Sequence, residues 1–178
     1  MYKTKANEFR SIIYQIILST PGIRYNDLLR TTKFNHGVLS YSLDVLEKKD
    51  LVKSFRRSNG KITRYYSTSI PDEYFSIIGY LKNKTTRQII LFLYDVYKEK
   101  SFTEIKIHIN KASSTTSWNI KRLLNDNIII RIKSKKSTTF GLAQPQIASK
   151  ILDSFDNLIL DRTYYDAKIY THMINPFV

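Results

Sequence analysis

Apolar residues in the first fifty positions recur with the spacing of amphipathic helices. The first stripe advances in three- and four-residue steps through Phe9, Ile12, Ile13, Ile16 and Ile17. Pro21-Gly22 ends this helix, and a short apolar turn follows at residues 27–31. A further stripe consists of Val38, Leu39, Leu43 and Leu46. Because each stripe must bury one face, we expect three short helices that enclose one small core.

Residues 51–67 have the pattern of a β-hairpin. Two strand-like runs, residues 51–57 and 61–67, flank Ser58-Asn59-Gly60. Asn-Gly between two such runs is a strong hairpin signal, because both residues tolerate the positive φ that a type I′ turn requires. Three helices followed by a hairpin predict a winged helix-turn-helix domain.

The chain contains an internal repeat with a spacing of 77 residues. Shifting the sequence by this distance without a gap places Ile12 on Ile89, Leu28 on Ile105, Tyr41 on Trp118 and Leu46 on Leu123. This register predicts a second copy with helices over 86–97, 103–109 and 114–126 and a hairpin over 128–142 that turns near residues 135–137. Other apolar positions of the first copy are polar in the second, so we expect a shared fold but different binding specificities.

Two further helices complete the prediction. Residues 71–82 form a connecting helix, and a longer helix extends from Pro145 to about Ile169. The predicted fold class is therefore mostly α with small β-hairpins (α+β), with two tandem winged helix-turn-helix domains and a carboxy-terminal helix. The predicted boundaries are residues 1–70 for the first domain, 71–84 for the connecting helix, 85–143 for the second domain and 144–178 for a packing or dimerisation segment.

The charge balance indicates a polyanionic partner. The 178 residues include 29 Lys and Arg but only 15 Asp and Glu, a net charge of +14. Residues 1–77 carry 13 basic and 7 acidic side chains and residues 78–154 carry 14 and 5, whereas residues 155–178 carry 2 and 3. The positive charge therefore belongs to the two repeats, and nucleic acid or an anionic membrane surface is the default partner.

Composition argues against most other classes of protein. There is no cysteine, and three scattered histidines have no metal-ligand spacing, so neither a zinc site nor any other cofactor site is predicted. The five glycines form none of the usual phosphate-binding loops, and no enzyme activity is predicted. Neither a secretory signal nor an apolar run of membrane-spanning length occurs in the sequence. We expect a cytoplasmic, nucleoid-associated protein without a membrane partner.

The candidate DNA-binding residues lie on the outward faces of the third helix of each copy. In a helix-turn-helix, this face lies in the major groove, where small residues let the backbone approach and longer ones reach base edges. In the first copy the candidates are Asn35, His36, Gly37, Ser40, Tyr41, Asp44 and Lys48. In the second copy they are Ser113, Ser114, Thr115, Ser117, Trp118, Lys121 and Arg122, with Asn125 further along the same face.

The predicted wings carry the remaining candidates. They are Arg56, Arg57, Lys61 and Arg64 in the first copy and Lys133, Lys135 and Lys136 in the second, where Arg131 is also basic. Cations at a hairpin tip suit contacts to phosphates or the minor groove, which add affinity without sequence information.

Several of these residues also have a purely structural interpretation. Tyr41 and Trp118 could pack against a neighbouring helix or a dimer partner as well as against DNA. Asn35 and His36 are expected first to cap the helix. Asp44 could accept a hydrogen bond from a cytosine amino group or form an ion pair with Lys48 four residues later.

The two reading segments resemble a known family. Residues 35–52, NHGVLSYSLDVLEKKDLV, resemble the pattern Asn-x-Gly-Thr-Leu-x-Tyr-His-Leu of archaeal transcriptional regulators with two winged helices, and residues 113–129 are similar to the second-domain pattern Ser-x-Ser-Thr-Val-Ser-Trp-His-Leu. The resemblance extends to ArsR-like and MarR-like winged helices and implies a DNA-binding regulator without a catalytic centre. The family histidine is Ser42 and Asn119 here. The family glycine is Asp50 and Asn127, residues that also adopt the left-handed conformation.

These observations predict a sequence-specific, double-stranded DNA-binding transcriptional regulator. Two alternatives remain open: a tandem winged-helix scaffold that binds proteins of a transcription assembly, and a plasmid or viral replication initiator. The carboxy-terminal helix is expected to form a homodimer or to cover the second repeat. The basal transcription machinery is a further candidate partner.

Overall fold

The computed structural model describes the backbone of residues 2–57, 60–95, 99–135 and 137–159. This part of the chain is mostly helical with small antiparallel sheets, which confirms the predicted α+β class. It forms two compact units, one of residues 2–75 together with residues 156–159 and one of residues 76–155. None of the helices in these ranges is both long and apolar enough to cross a membrane.

The first unit is a cluster of helices with a three-stranded sheet. Its elements are α1 (Tyr2–Ser19), β1 (Ile23–Arg24), α2 (Tyr25–Thr32), α3 (His36–Lys48), β2 (Val52–Arg56) and β3 (Thr63–Ser67). The antiparallel sheet has the order β1-β3-β2. The predicted apolar stripes face one core, whose buried residues include Ile13, Ile16, Leu28, Leu39, Leu43 and Leu46.

The second unit repeats this order. A 3-10 turn (Asp72–Tyr74) at the end of the first unit precedes α4 (Phe75–Leu81). The elements α5 (Lys84–Asp95), β4 (Lys100–Ser101), α6 (Phe102–Ile109), α7 (Ser113–Asn125), β5 (Ile129–Lys133), β6 (Thr138–Leu142) and α8 (Pro145–Ile159) follow, and the second unit ends within α8 at Phe155. The sheet order is β4-β6-β5. The core of this unit includes Ile89, Ile90, Ile105, Ile120 and Leu123.

The 77-residue spacing relates four consecutive elements of the two units without a shift. Adding 77 to the bounds of β1, α2, α3 and β2 gives the bounds of β4, α6, α7 and β5. The left-handed residues follow the same spacing, with φ of 53° at Asp50 and 51° at Asn127. Lys33 and Asn110, which end α2 and α6, have φ of 55° and 48°. Asp50 and Asn127 therefore adopt the conformation predicted for the residues that replace the family glycine.

The turn of the first hairpin differs from the prediction, whereas the turn of the second lies close to it. The type I′ turn predicted at Asn59-Gly60 is wrong, because Gly60 has no positive φ. Its N–H instead donates to the carbonyl of Arg57 at 2.8 Å, so Gly60 is the last residue of a four-residue turn. Ser58 and Asn59 themselves lie outside the described residues. In the second hairpin, Ser134 donates its N–H to the carbonyl of Ser137 at 2.9 Å, close to the predicted turn.

Other boundaries shift by a few residues. The predicted connecting helix over 71–82 consists of the 3-10 turn and α4, and α5 begins two residues before the predicted Thr86. The two-residue strands β1 and β4, which pair with β3 and β6, were not predicted. The predicted end of α5 at Tyr97 lies outside the described residues.

Helix α8 packs within the second unit over its first turns. Ala148 and Ile151 are buried, and the hydroxyl of Tyr94 donates to Ser149 Oγ at 3.1 Å. The helix is interrupted at Phe155, which has a φ of −129°. These contacts support the expectation that the carboxy-terminal helix covers the second repeat. Its predicted continuation to residue 169 lies outside the described residues.

Candidate nucleic-acid interface

The outward face of α3 carries the predicted side chains of the first unit. Leu39, Leu43 and Leu46 are buried on the opposite side. Gly37, Ser40, Tyr41, Asp44 and Lys48 are exposed, and Tyr41 retains 62% of its accessible surface. A large aromatic side chain with this exposure has no role in the core of its own unit.

The start of α3 is held by two side chains. Asn35 Oδ1 accepts a hydrogen bond from the N–H of Val38 at 2.8 Å, so Asn35 is the helix cap that the sequence predicted. The hydroxyl of Tyr25 lies 2.8 Å from Ser40 Oγ and 3.2 Å from the carbonyl oxygen of His36. The Tyr25 ring also stacks on the imidazole of His36, with 5.8 Å between the ring centres. Tyr25 thus fixes α2 against the first turns of α3.

Sequence reasoning missed this role of Tyr25. At the same repeat position the second copy has Phe102, so the repeat indicates only an apolar position at Tyr25. The available signal was its hydroxyl group, which the second copy lacks.

Asp44 and Lys48 form an ion pair on the exposed face of α3. Lys48 Nζ lies 2.8 Å from Asp44 Oδ2, and the two side chains are 74% and 54% exposed. The hydrogen bond to Asp44 raises the pKa of Lys48 above its ordinary value. Of the two alternatives predicted for Asp44, the pairing with Lys48 is present in the structure.

The equivalent face of α7 is exposed in the second unit. Ser113, Ser114, Thr115, Ser117, Trp118, Lys121 and Asn125 all lie at the surface. Thr116 and Asn119 are buried beneath them, and Asn119 Nδ2 donates to the carbonyl of Thr115 at 2.8 Å. The position of the family histidine is therefore turned inward in this unit, as it is at the buried Ser42 of the first unit.

Arg122 of α7 lies between two aromatic rings, Trp118 of the same helix and Tyr80 of α4. Its Cζ atom is 4.3 Å from the centre of the Trp118 ring and 5.5 Å from the centre of the Tyr80 ring. The Tyr80 hydroxyl lies 3.0 Å from the carbonyl oxygen of Arg122 and 2.8 Å from Asp126 Oδ2. Trp118 is 58% exposed. The guanidinium predicted to contact DNA therefore supports the Trp118 ring.

The hairpin cations occupy two kinds of environment. Arg56, Lys61, Arg131, Lys133 and Lys135 are exposed and Arg57 is half-buried, while Lys136 lies outside the described residues. Arg64 instead points inward, where its Nη1 donates to the carbonyl of Gly22 at 2.6 Å. Burial lowers the pKa of Arg64 from its ordinary value.

A cationic groove lies between the start of α2 and the hairpin of the first unit. It has a volume of about 600 Å³, and its charged lining residues are Arg24, Asp27, Arg30, Arg56 and Lys61. Sequence reasoning missed Arg24 and Arg30, although both are basic residues close to the ends of a predicted helix. At the same repeat positions the second unit has Ser101 and Ile107.

Asp27 is the acidic residue within this groove. Arg24 Nε lies 2.7 Å from Asp27 Oδ2, and Arg30 also forms an ion pair with Asp27. Burial acts to raise the pKa of Asp27, but the hydrogen bonds from both arginines outweigh it and hold the pKa below its ordinary value. The arginines therefore keep the carboxylate charged while four cations line the groove.

Within the described ranges, no group of three or more His, Asp or Glu side chains has the arrangement of a metal site. The two outward faces present hydroxyls, aromatic rings and cations, together with the carboxylate of Asp44. Such groups can bind phosphates and base edges.

The comparisons with known proteins include a regulator from an archaeon. No protein-family model matches the chain. A protein of Methanocaldococcus jannaschii named "Uncharacterized HTH-type transcriptional regulator" is 31% identical over 134 residues. The match covers 75% of this chain and 32% of that relative, so the chain spans about a third of the length of the relative.

Solved structures resemble the chain only weakly. ScpB from Mycobacterium tuberculosis is 12% identical, with 84% of this chain and 95% of that chain covered, at a TM-score of 0.29. A conserved hypothetical protein from Chlorobium tepidum is 16% identical, with 86% and 99% covered, at the same TM-score of 0.29. These scores are too low to indicate a shared overall fold.

Proposed function

We propose that this chain is a sequence-specific, double-stranded DNA-binding transcriptional regulator built from two winged helix-turn-helix domains. In each unit, α2 with α3 or α6 with α7 forms the helix-turn-helix, and the hairpin forms the wing. The name of the archaeal relative supports a regulator with a helix-turn-helix. Since the chain matches about a third of that relative, the proposal rests mainly on the two outward faces.

The observation that carries the proposal is an exposed aromatic residue at the same position of the recognition helix in each unit, α3 in the first and α7 in the second. Tyr41 and Trp118 occupy the same repeat position and retain 62% and 58% of their accessible surface. Small polar residues precede both of them along the same face, and exposed cations line both hairpins. A face of this kind can approach a major groove closely, while the hairpin cations neutralise flanking phosphates.

The cationic groove is where we expect the DNA backbone to contact the first unit. Arg24, Arg30, Arg56 and Lys61 line it. Phosphate contacts fix the position of a protein on a duplex, and base contacts then determine sequence preference. Arg64 is left out of this interface, because its guanidinium donates to Gly22 inside the unit.

The test is selection of bound sequences from random duplexes, followed by titration of the selected duplex at several salt concentrations. We expect an enriched motif and a steep loss of affinity with salt, since each neutralised phosphate adds about 0.9 to the slope of log K against log salt. An unenriched pool, with equal binding of any polyanion, would reject sequence-specific recognition. A flat salt response would reject the phosphate contacts.

A protein-interaction scaffold is the second candidate, and one observation favours it. Ile107 is 71% exposed at the repeat position that Arg30 occupies in the first unit. Ile130 in the same unit is 41% exposed. An exposed isoleucine gains nothing from phosphates but suits an apolar protein surface. Under this alternative, Ile107→Ser abolishes a protein contact and leaves duplex binding intact.

A further inference from the structure

Trp118 is held in place although most of its surface is free. Arg122 lies against its ring at 4.3 Å, which is a cation–π distance. Arg122 in turn contacts Tyr80, whose ring centre lies 5.5 Å from Arg122 Cζ and whose hydroxyl donates to the Arg122 carbonyl oxygen at 3.0 Å. The exposed indole is thus an apolar group with a cation against one side of its ring, on a face that otherwise carries hydroxyls and cations.

The first unit differs at this position. The residue four positions after Tyr41 is Val45, which carries no charge, whereas Trp118 is followed at the same distance by Arg122. Two exposed aromatic residues therefore share one repeat position, but the cation that supports the ring occurs in the second unit. The difference predicts that the two reading helices recognise different bases.

A major groove presents one apolar group to such a ring. Its base edges display hydrogen-bond donors and acceptors, and thymine adds a 5-methyl group. An indole on the outward face of α7 cannot form several hydrogen bonds with base edges, since it has a single N–H donor. Its apolar surface therefore gains most from a methyl contact.

We propose that Trp118 recognises thymine through the 5-methyl group in the major groove, with Arg122 as the residue that positions its ring. This inference rests on the proposed function, and it names the base that the second unit prefers. Lys121, exposed next to Trp118 on the same helix, supplies the charge that attracts the DNA backbone.

The first experiment compares thymine with deoxyuridine, which lacks only the methyl group. The full chain is titrated with its selected duplex and with duplexes in which individual thymines are replaced by deoxyuridine. We expect one replacement to weaken binding about fourfold, the size expected for losing burial of one methyl-sized group. Trp118→Ala should bind both duplexes equally at that position, and Trp118→Phe should keep part of the preference.

Matched variants distinguish a loss of thymine recognition from a loss of folding. Tyr41→Ala changes the same repeat position of the first unit and should leave the thymine preference of the second unit unchanged. Arg122→Gln should lower the ratio of the two affinities, and Arg122→Lys should restore part of it because the cation returns. A structural defect alone would weaken binding to both duplexes and leave their ratio unchanged.

The fluorescence of Trp118 gives an independent readout, because the chain contains one tryptophan. Replacing the contacted thymine by 5-bromodeoxyuridine keeps a group of methyl size and places a heavy atom next to the ring. We expect stronger quenching by this duplex than by the thymine duplex. Equal quenching, or an affinity ratio that Trp118→Ala does not change, would overturn the inference while leaving duplex binding intact. Failure to bind any duplex would overturn the proposed function as well.

Discussion

Asp44 accepts a hydrogen bond from Lys48 at 2.8 Å on the exposed face of α3. The two residues are one helical turn apart, a spacing at which opposite charges stabilise a helix modestly. The pair places a carboxylate on the face that we propose meets a polyanion, and it neutralises one cation there. α3 therefore attracts DNA less strongly than its lysine would suggest, while its carboxylate retains the capacity to accept from a base.

We expect Asp44→Asn to bind duplex DNA more tightly and with less sequence preference. The substitution removes a negative charge and frees Lys48 for a phosphate, so the salt slope should steepen by about 1. Titrations at several salt concentrations measure both effects. Asp153→Asn, which removes an exposed carboxylate from α8, is the matched control. Weaker binding by Asp44→Asn with an unchanged slope would contradict this interpretation.

Substitutions of Lys61 and Arg64 should distinguish a cation that contacts DNA from a cation that stabilises the fold. Lys61→Gln removes an exposed charge at the groove, so it should weaken DNA binding and leave the free energy of unfolding unchanged. Arg64→Gln breaks the hydrogen bond to Gly22 and should lower the free energy of unfolding by roughly 1–3 kcal/mol. Urea denaturation and DNA titration of both variants provide the comparison. Equal stability of the two variants would show that Arg64 is not a structural residue.

The inward direction of Arg64 could have been predicted from the sequence. Side chains two residues apart in a strand share one face, and Arg64 precedes the buried Tyr66 by two positions. The charge of Arg64 favoured a phosphate contact in the sequence analysis, but strand alternation assigns it to the face of Tyr66. Its partner, the carbonyl of Gly22, could not be predicted, because Gly22 lies in the turn before β1, and that two-residue strand is too short to have a periodicity.

The helices and the faces that they bury could be predicted from the sequence for a simpler reason. A stripe such as Leu39, Leu43 and Leu46 fixes which side of a helix is buried, and the opposite residues are then exposed. The contact of Tyr25 with Ser40 could not be predicted from the sequence, since it depends on how α2 crosses α3. The same holds for Arg122, whose position between two rings depends on the packing of α4.

The ion pairs of Asp27 should make the first unit sensitive to acid. Its pKa in the folded chain lies below the ordinary value of 3.8, so charged Asp27 stabilises the fold above about that pH. This contribution is lost as the pH falls through the lower folded value. Unfolding by urea at pH 7 and pH 3 should show a smaller acid-induced loss for Asp27→Asn than for the unchanged chain. An equal loss in both would exclude Asp27 as a source of the acid sensitivity.

Ile151 should matter for stability and not for self-association. It is fully buried within the second unit, so Ile151→Ala should lower the free energy of unfolding by about 2–5 kcal/mol. The exposed Ser154, replaced by Ala on the same helix, is the control. Sedimentation of the full chain and of a chain truncated after Ala143 tests the alternative role. A dimer that is lost on truncation, with stability unaffected by Ile151→Ala, would favour a dimerisation helix.

If a duplex lies against the outward faces of α3 and α7, negative charge introduced on those faces must weaken its binding. Gly37→Glu and Ser117→Glu each add a carboxylate to one reading helix, and space exists at Gly37 because an added Cβ would lie 3.6 Å from the nearest side-chain atom. Ser154→Glu adds the same charge to α8. We measure the affinity of each variant for the selected duplex. We expect losses of tenfold or more for the first two variants, on the order of the 1–3 kcal/mol of one base contact, and little change for Ser154→Glu. Equal affinities of all three variants would contradict it.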